Sequence, residues 1–330
     1  MKCLVTGGAG FIGSHLVHGL LKRGHEVRVL DNFVSGKRQN VQHLPIDLVE
    51  GDIRDHKDLQ GALRGAQHVY HLAALGSVAR SVEDPLSTHS VNETGTLMVL
   101  DGAQKAKAQR VVLASSSSVY GNIPTLPKRE SAKPAPASPY AVSKLTGEYY
   151  CNVFWNTYDL ETVCLRYFNV FGPRQDPESE YAAVIPRFIQ ALLAGENPVI
   201  YGDGTQTRDF TYVANVVEAT MQAMHTPKAA GQIANIACGE RWSLLELVKL
   251  LGQVFDIHVT PEFRDERVGD VKHSQAAIIR AQRVLGYAPR ISFQRGLRET
   301  VEWFRYMHQE MVERQPARRV DIPVARPAAM

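Results

Sequence analysis

The chain is poor in several features that would fix its class at once. It has 4 cysteines in 330 residues. Cys3, Cys151, Cys164 and Cys238 form no CxxC pair, so a zinc ribbon and a disulfide framework are excluded and buried thiols in a reducing compartment are expected. No other spacing suggests a metal. Apolar runs of the ~18 residues that span a bilayer are missing, so no membrane partner is expected. The chain opens directly on the apolar run KCLVT, with no charged segment and long apolar stretch ahead of a cleavage site, and a cytoplasmic location is the expectation. Charge of one sign is lacking as well. The 37 basic and 34 acidic residues leave a net charge of +3, too weak a field to gather nucleic acid.

What is present fits a globular enzyme of small molecules. Hydrophobic residues make up 44% and charged residues 22% of the chain, enough for a large core. Short apolar runs alternate with helix-length segments: KCLVT, a helix near Phe11 to Arg23, EVRVLD, a helix near His56 to Arg64, AQHVYHLAA, a helix from about Pro85 to Lys107, QRVVLASS, a helix from Pro139, and TVCLRY. Strands apolar on both faces and separated by helices predict a doubly wound α/β fold with a parallel sheet. This pattern assigns 1–168 to a first α/β domain, to which the chain returns near 210–238. Residues 169–311 are expected to form a second, smaller α/β lobe, and 312–330, rich in proline and arginine, a mobile tail.

Three stretches carry chemistry. In KCLVTGGAGFIGSHL, Gly7, Gly10 and Gly13 fall between the first strand and the first helix, where glycine lets the backbone approach a pyrophosphate at a helix amino terminus. The second strand ends in Asp31, at the distance of a carboxylate that takes a ribose 2′-hydroxyl and repels a 2′-phosphate. NAD is therefore expected over NADP, although Lys37 and Arg38 lie nearby. The cofactor site read from these segments adds Phe11, Ile12, Asn32, Gly36, Asp52 and Ile53 at the end of another strand, Leu72, Ala73 and Ala74, and Tyr167. In LASSSSVYG, four serines end a strand. In SPYAVSKLTGEYY, Tyr140 and Lys144 stand four apart on one helix face. A tyrosine ionises near pH 10, so a basic Tyr140 needs its phenolate stabilised, and Lys144 and a nicotinamide ring supply positive charge. Tyr and Lys at this spacing are common on ordinary helices. The serine run and the dinucleotide signature in the same chain give them weight.

With the glycine turn, Asp31, SSSSVYG and Tyr-x-x-x-Lys in this order, residues 1 to about 310 resemble the extended short-chain dehydrogenase/reductase family, specifically its nucleotide-sugar 4-epimerases. The resemblance implies an NAD-dependent isomerase with Ser116, Tyr140 and Lys144 as the catalytic group, Tyr140 and Lys144 also touching the cofactor, and a homodimer built by the helices at 85–107 and 139–156. It implies a UDP-sugar held by Ser77, Arg80, Ser117, Ser118, Asn169, Val184, Tyr201, Arg208, Arg267, Asp270 and Ser274, with Ser115 left to cap its strand. Ser117 and Ser118 stand where relatives that remove water or carbon dioxide carry an acidic residue, so elimination ranks low. Ser274, where epimerases restricted to glucose and galactose hold a tyrosine, implies room for an N-acetyl group and a chain most like the UDP-N-acetylglucosamine 4-epimerases. Ala277 departs from the aspartate common there. UDP-glucose and then UDP-glucuronic acid, the latter through Arg80, are the alternatives, followed by a dinucleotide sensor without turnover.

Overall fold

The structure, a computed structural model, describes residues 1–177, 183–266 and 272–314. Its core is a seven-stranded parallel sheet made of β1 (Lys2–Thr6), β2 (Glu26–Asp31), β3 (Asp47–Glu50), β4 (His68–His71), β5 (Arg110–Ser116), β6 (Glu161–Tyr167) and β11 (Ile233–Ile236). Across the sheet the strands run in the order β3-β2-β1-β4-β5-β6-β11. The order reverses between β1 and β4, and ligands of such sheets lie beyond the strand ends at that point. Both faces are covered, as the apolar strands require. Helices α1 (Phe11–Lys22) and α8 (Val213–His225) close one face through Leu16, Leu20, Val217 and Met221. Helices α2 (His56–Leu63), α5 (Gly95–Lys105) and α6 (Pro139–Thr157) close the other through Leu59, Leu63, Leu100, Cys151 and Phe154.

The long helix expected over 85–107 is three pieces. After the short α3 (Val78–Glu83), α4 (Pro85–His89) leads into a π-helical turn, Ser90–Thr94, before α5 begins. The wide turn directs Asn92 inward, where its side chain accepts from Leu75 N at 2.8 Å and donates to Leu75 O at 3.1 Å.

The second lobe is made of small pieces: β7 (Val170–Phe171), β8 (Val199–Tyr201), β9 (Thr207–Arg208), β10 (Thr211–Tyr212), β12 (Trp242–Ser243) and β13 (Glu262–Arg264), with helices α7 (Val184–Leu193), α9 (Leu244–Phe255), α10 (Ile279–Leu285) and α11 (Phe293–Arg314). Phe293 packs against Phe171, Phe210 and Trp242, with ring centroids 5.4, 5.1 and 5.2 Å away, and so fastens α11 to the strands near the cleft. Helix α11 runs through Arg314, past the Val312 at which a tail is expected, and 315–330 lies outside the described residues. Cys3, Cys151 and Cys164 are buried as anticipated, whereas Cys238, two residues after β11, is half-buried.

Candidate active site

A cleft of about 1230 Å³ opens at the carboxyl ends of the strands. Single ligands commonly occupy about 300–1,000 Å³, so there is room for a dinucleotide and a second nucleotide together. Its floor is the first strand-to-helix turn. Gly7 holds φ +71°, and a Cβ there would stand 2.7 Å from Ala73 N. A Cβ on Gly13 would lie 2.1 Å from Gly7 O, so only glycine closes this turn under the amino end of α1. Phe11, Ile12 and Gly10 line the same floor.

Asp31 ends β2 facing the cleft and is 7% exposed. Its Oδ2 accepts from Ala9 N and its Oδ1 from Phe33 N, both at 2.9 Å, which fixes the carboxylate in place; burial nevertheless raises its pKa. The two basic residues that could draw a 2′-phosphate are engaged elsewhere. Lys37 reaches Asp176 at 3.3 Å, and Arg38 pairs with Glu50 while its guanidinium covers the Phe33 ring. Asn32, Asp52 and Ile53 line the cleft beside Asp31, as do Leu72, Ala73 and Ala74 after β4. Asp52 is already satisfied by Arg54 Nη2 at 2.7 Å and Asn32 Nδ2 at 3.1 Å, and the Arg54 guanidinium brings its pKa down to about 2. The glycine cradle and the oriented Asp31 fit NAD.

The three side chains expected to react converge from β5 and α6. Ser138 caps α6 by accepting from Ala141 N at 3.1 Å, and Pro139 takes the first helical position, so Tyr140 enters in the first turn. Ser116 ends β5, and its Oγ accepts from Ser118 N at 3.1 Å. Its hydroxyl hydrogen-bonds Tyr140; burial raises the Tyr140 pKa above its ordinary value, and this bond offsets part of the rise. Lys144 Nζ donates to Ala114 O at 2.9 Å and lies 5.8 Å from the centre of the Tyr140 ring. Burial pushes Lys144 down to about 8. Behind them His71 is fully enclosed, its Nδ1 2.7 Å from Thr6 Oγ1 and its Nε2 2.9 Å from Thr96 Oγ1. Burial, then the Lys144 charge, lowers it to about 3, so it is neutral.

Ser117 and Ser118 line the cleft next to Ser116. Ser115 does more than cap a strand. It is 3% exposed and donates to Glu148 Oε1 at 2.5 Å, because alternate residues of β5 face opposite ways. Tyr167 lines the cleft with its hydroxyl 2.8 Å from Thr220 Oγ1.

Ser77, Arg80, Asn169, Arg208 and Ser274 line the same cleft, Ser77 and Arg80 at α3, which packs on α6, and the other three from the second lobe. Arg208 Nη1 donates to Thr207 O at 3.0 Å. Ser274 is 8% exposed, and its N donates to Thr207 O at 3.0 Å. Asp209, fully buried, holds that segment. Its carboxylate accepts from Cys238 N and Gly239 N at 3.0 Å and from Ala276 N at 3.1 Å, and burial raises it to about 7. Three expected residues stand outside the cleft wall: Gly36 packs on the Asp31 carboxylate, Val184 begins α7 one residue beyond the lining Ala183, and Tyr201 sits under Arg187. Arg267 and Asp270 lie outside the described residues. Sequence reading missed Arg54, Gln175, Asp176 and Lys128, all in the lining. No residue pattern marked them, since each reaches the cleft from a loop. Among the described residues no group of histidine, cysteine and acidic side chains could hold a metal, and no helix is long and apolar enough to cross a membrane.

A parallel sheet of this order, a glycine cradle, an oriented Asp31 and a Ser116–Tyr140–Lys144 group define a nicotinamide-dinucleotide enzyme of the short-chain dehydrogenase/reductase type. Residues 3–237 match the model of the NAD dependent epimerase/dehydratase family, and the chain belongs to that family. It is 42% identical to the UDP-glucose 4-epimerase of Mycolicibacterium smegmatis over 94% of this chain and 100% of that one. The UDP-N-acetylglucosamine 4-epimerase of Methanobrevibacter ruminantium, solved with UDP-N-acetylmuramic acid, superposes with a TM-score of 0.89 at 40% identity, covering 93% of this chain and 98% of that one. The UDP-glucuronic acid 4-epimerase of Bacillus cereus, solved with UDP-glucuronic acid and NAD, superposes with a TM-score of 0.86 at 34% identity, covering 93% of this chain and 100% of that one.

Proposed function

We propose that the protein inverts the configuration at C4 of a UDP-sugar through a transient 4-keto intermediate, and that its preferred pair is UDP-N-acetylglucosamine and UDP-N-acetylgalactosamine. NAD, when bound, supplies a hydride acceptor that also returns the hydride. Tyr140 removes the proton of the 4-hydroxyl, and the Ser116 hydroxyl, placed beside Tyr140, hydrogen-bonds the same sugar oxygen. The Lys144 ammonium and the amino end of α6 stabilise the Tyr140 oxyanion. The proton then returns from Tyr140 as the other face of the sugar is reduced. Across the cleft Arg208 and Asn169 bind the diphosphate, arginine's fork matching phosphate oxygens, while Ser77, Ser117 and Ser118 contact the sugar.

The observation that carries the choice of sugar is Ser274, a small side chain in the cleft wall whose backbone N donates to Thr207 O, while Asp209 holds Ala276 two residues further on. A bulky ring here would fill the volume that an acetamido group needs. Kinetics on the N-acetylated pair, UDP-glucose, UDP-galactose and UDP-glucuronic acid should give the highest kcat/KM for the N-acetylated pair. Ser274→Tyr should lower that value about 100-fold while changing UDP-glucose little, as a clash of ~3 kcal/mol implies at tenfold per ~1.4 kcal/mol. A tyrosine variant indifferent to the acetamido group would defeat this assignment. UDP-glucuronic acid is the second reading, favoured by Arg80 and the buried Lys128 ammonium in the cleft wall.

The partner we propose is a second copy. Val142, Tyr149 and Val153 form an exposed apolar stripe on α6, 44%, 60% and 46% accessible, with Leu86 of α4 exposed as well and α4 packed on α6. Such a stripe is a suitable surface for pairing across a twofold axis.

A further inference from the structure

The most deeply buried ion pair among the described residues lies directly behind the reacting groups. Glu148 is one turn beyond Lys144 and two beyond Tyr140 on α6, so the three share a face. Its carboxylate accepts Nε and Nη2 of Arg166 on β6 at 2.8 and 2.6 Å, and the Ser115 hydroxyl of β5 at 2.5 Å. The two charged side chains are 1% and 3% exposed. The Arg166 guanidinium lies over the Tyr120 ring, 4.7 Å from its centre, and the Tyr120 hydroxyl donates to Asn235 Oδ1 of β11 at 2.7 Å. One network therefore ties the helix that carries Tyr140 and Lys144 to three strands, and it grips β5 at the residue before Ser116. Buried ion pairs lose much of their attraction to desolvation, and apolar residues often stabilise as well. Stability is a weak reason for the pair to be there.

Its charge balance matters to Lys144. Against that ammonium lie the Tyr140 ring on its own helix, Ala114 O on β5 and neutral His71 on β4, with the Glu148–Arg166 pair one helical turn further along. Without Arg166, the Glu148 carboxylate would be a bare buried anion one helical turn from Lys144.

We propose that Glu148 and Arg166 are positioning residues for the reaction: the pair sets Tyr140 and Lys144 in register with Ser116 and, by cancelling its own charge, leaves Lys144 to the Tyr140 oxygen. This rests on reading Tyr140 as the base.

The test uses the purified, NAD-containing protein with UDP-N-acetylglucosamine and UDP-glucose. It measures kcat and KM from about pH 6 to about pH 10, NAD content, and the ultraviolet titration of tyrosinate taken as the difference from the matching Tyr140→Phe protein. Arg166→Met exposes a negative charge, so the pH–rate profile and the tyrosinate titration should both move up by about half to one unit. The rate at neutral pH should fall about three- to tenfold with KM nearly unchanged. Glu148→Gln leaves a positive charge, and both readouts should move down. The charge-free double variant should return them to the wild-type position, and Arg166→Lys should leave them there. Profiles that stay fixed in both single variants, or that move in the same direction, overturn the proposal whatever the loss of rate. If Arg166→Met does not fold, Glu148→Gln against the double variant carries the same sign test. Full turnover by Tyr140→Phe would defeat the base reading instead, so the two failures are distinct.

Discussion

The proposed chemistry depends on a single oxygen, the Tyr140 hydroxyl, which takes up and returns one proton. Tyr140→Phe keeps the ring and removes that oxygen. Turnover should fall about 10²- to 10⁴-fold, the usual share of a general base, with bound NAD retained, as release on denaturation would measure. The charge on Lys144 gives a second prediction. Burial lowers its pKa to about 8, so the ammonium is present at neutral pH and lost as the pH rises through that value. The rate should decline above about pH 8 as Lys144 gives up its proton, since burial holds the Tyr140 pKa above its ordinary value and leaves the ammonium as the group of the two that titrates first. A rate that keeps rising well above that value would remove Lys144 from the role. At this scale the sequence is informative where one residue type has one use. Gly7, Asp31, Tyr140 and Lys144 sit at short, fixed spacings. It is silent on Ser115, whose partner Glu148 is 33 positions away, and on Arg54, which reaches the cleft through its pair with Asp52.

Among the elements, the turn from β1 to α1 has the least freedom. Gly13→Ala would place a methyl 2.1 Å from Gly7 O, a backbone atom that cannot swing aside. The expected result is loss of retained NAD and a lower Tm, in keeping with the ~1–3 kcal/mol of an overpacked site. Calorimetry with an assay of bound nucleotide measures both. The central strands are legible because both of their faces are apolar, which leaves little choice of fold. The break in the 85–105 helix is not, since a π turn changes no residue pattern and is set by Asn92 bonding to Leu75 across 17 positions. The second lobe is harder for the same reason: its strands of two or three residues have no period to read, and contacts such as Asp209 to Ala276 hold its loops.

For the whole molecule, the exposed stripe of α6 and Leu86 predicts a particle of two subunits. Light scattering at working concentration should give twice the chain mass, and Tyr149→Glu with Val153→Glu should give a single subunit. A wild type of one subunit would remove the dimer. The central claim is that hydrogen leaves C4 of a UDP-sugar with its electron pair and returns to the same carbon. UDP-N-acetylglucosamine and UDP-glucose, each deuterated at C4, test it directly in ordinary water with no added dinucleotide. The account predicts 4-epimers that keep their deuterium on C4, with no net reduction of NAD. Product that has exchanged deuterium for solvent hydrogen, or that has lost water or carbon dioxide, would contradict it.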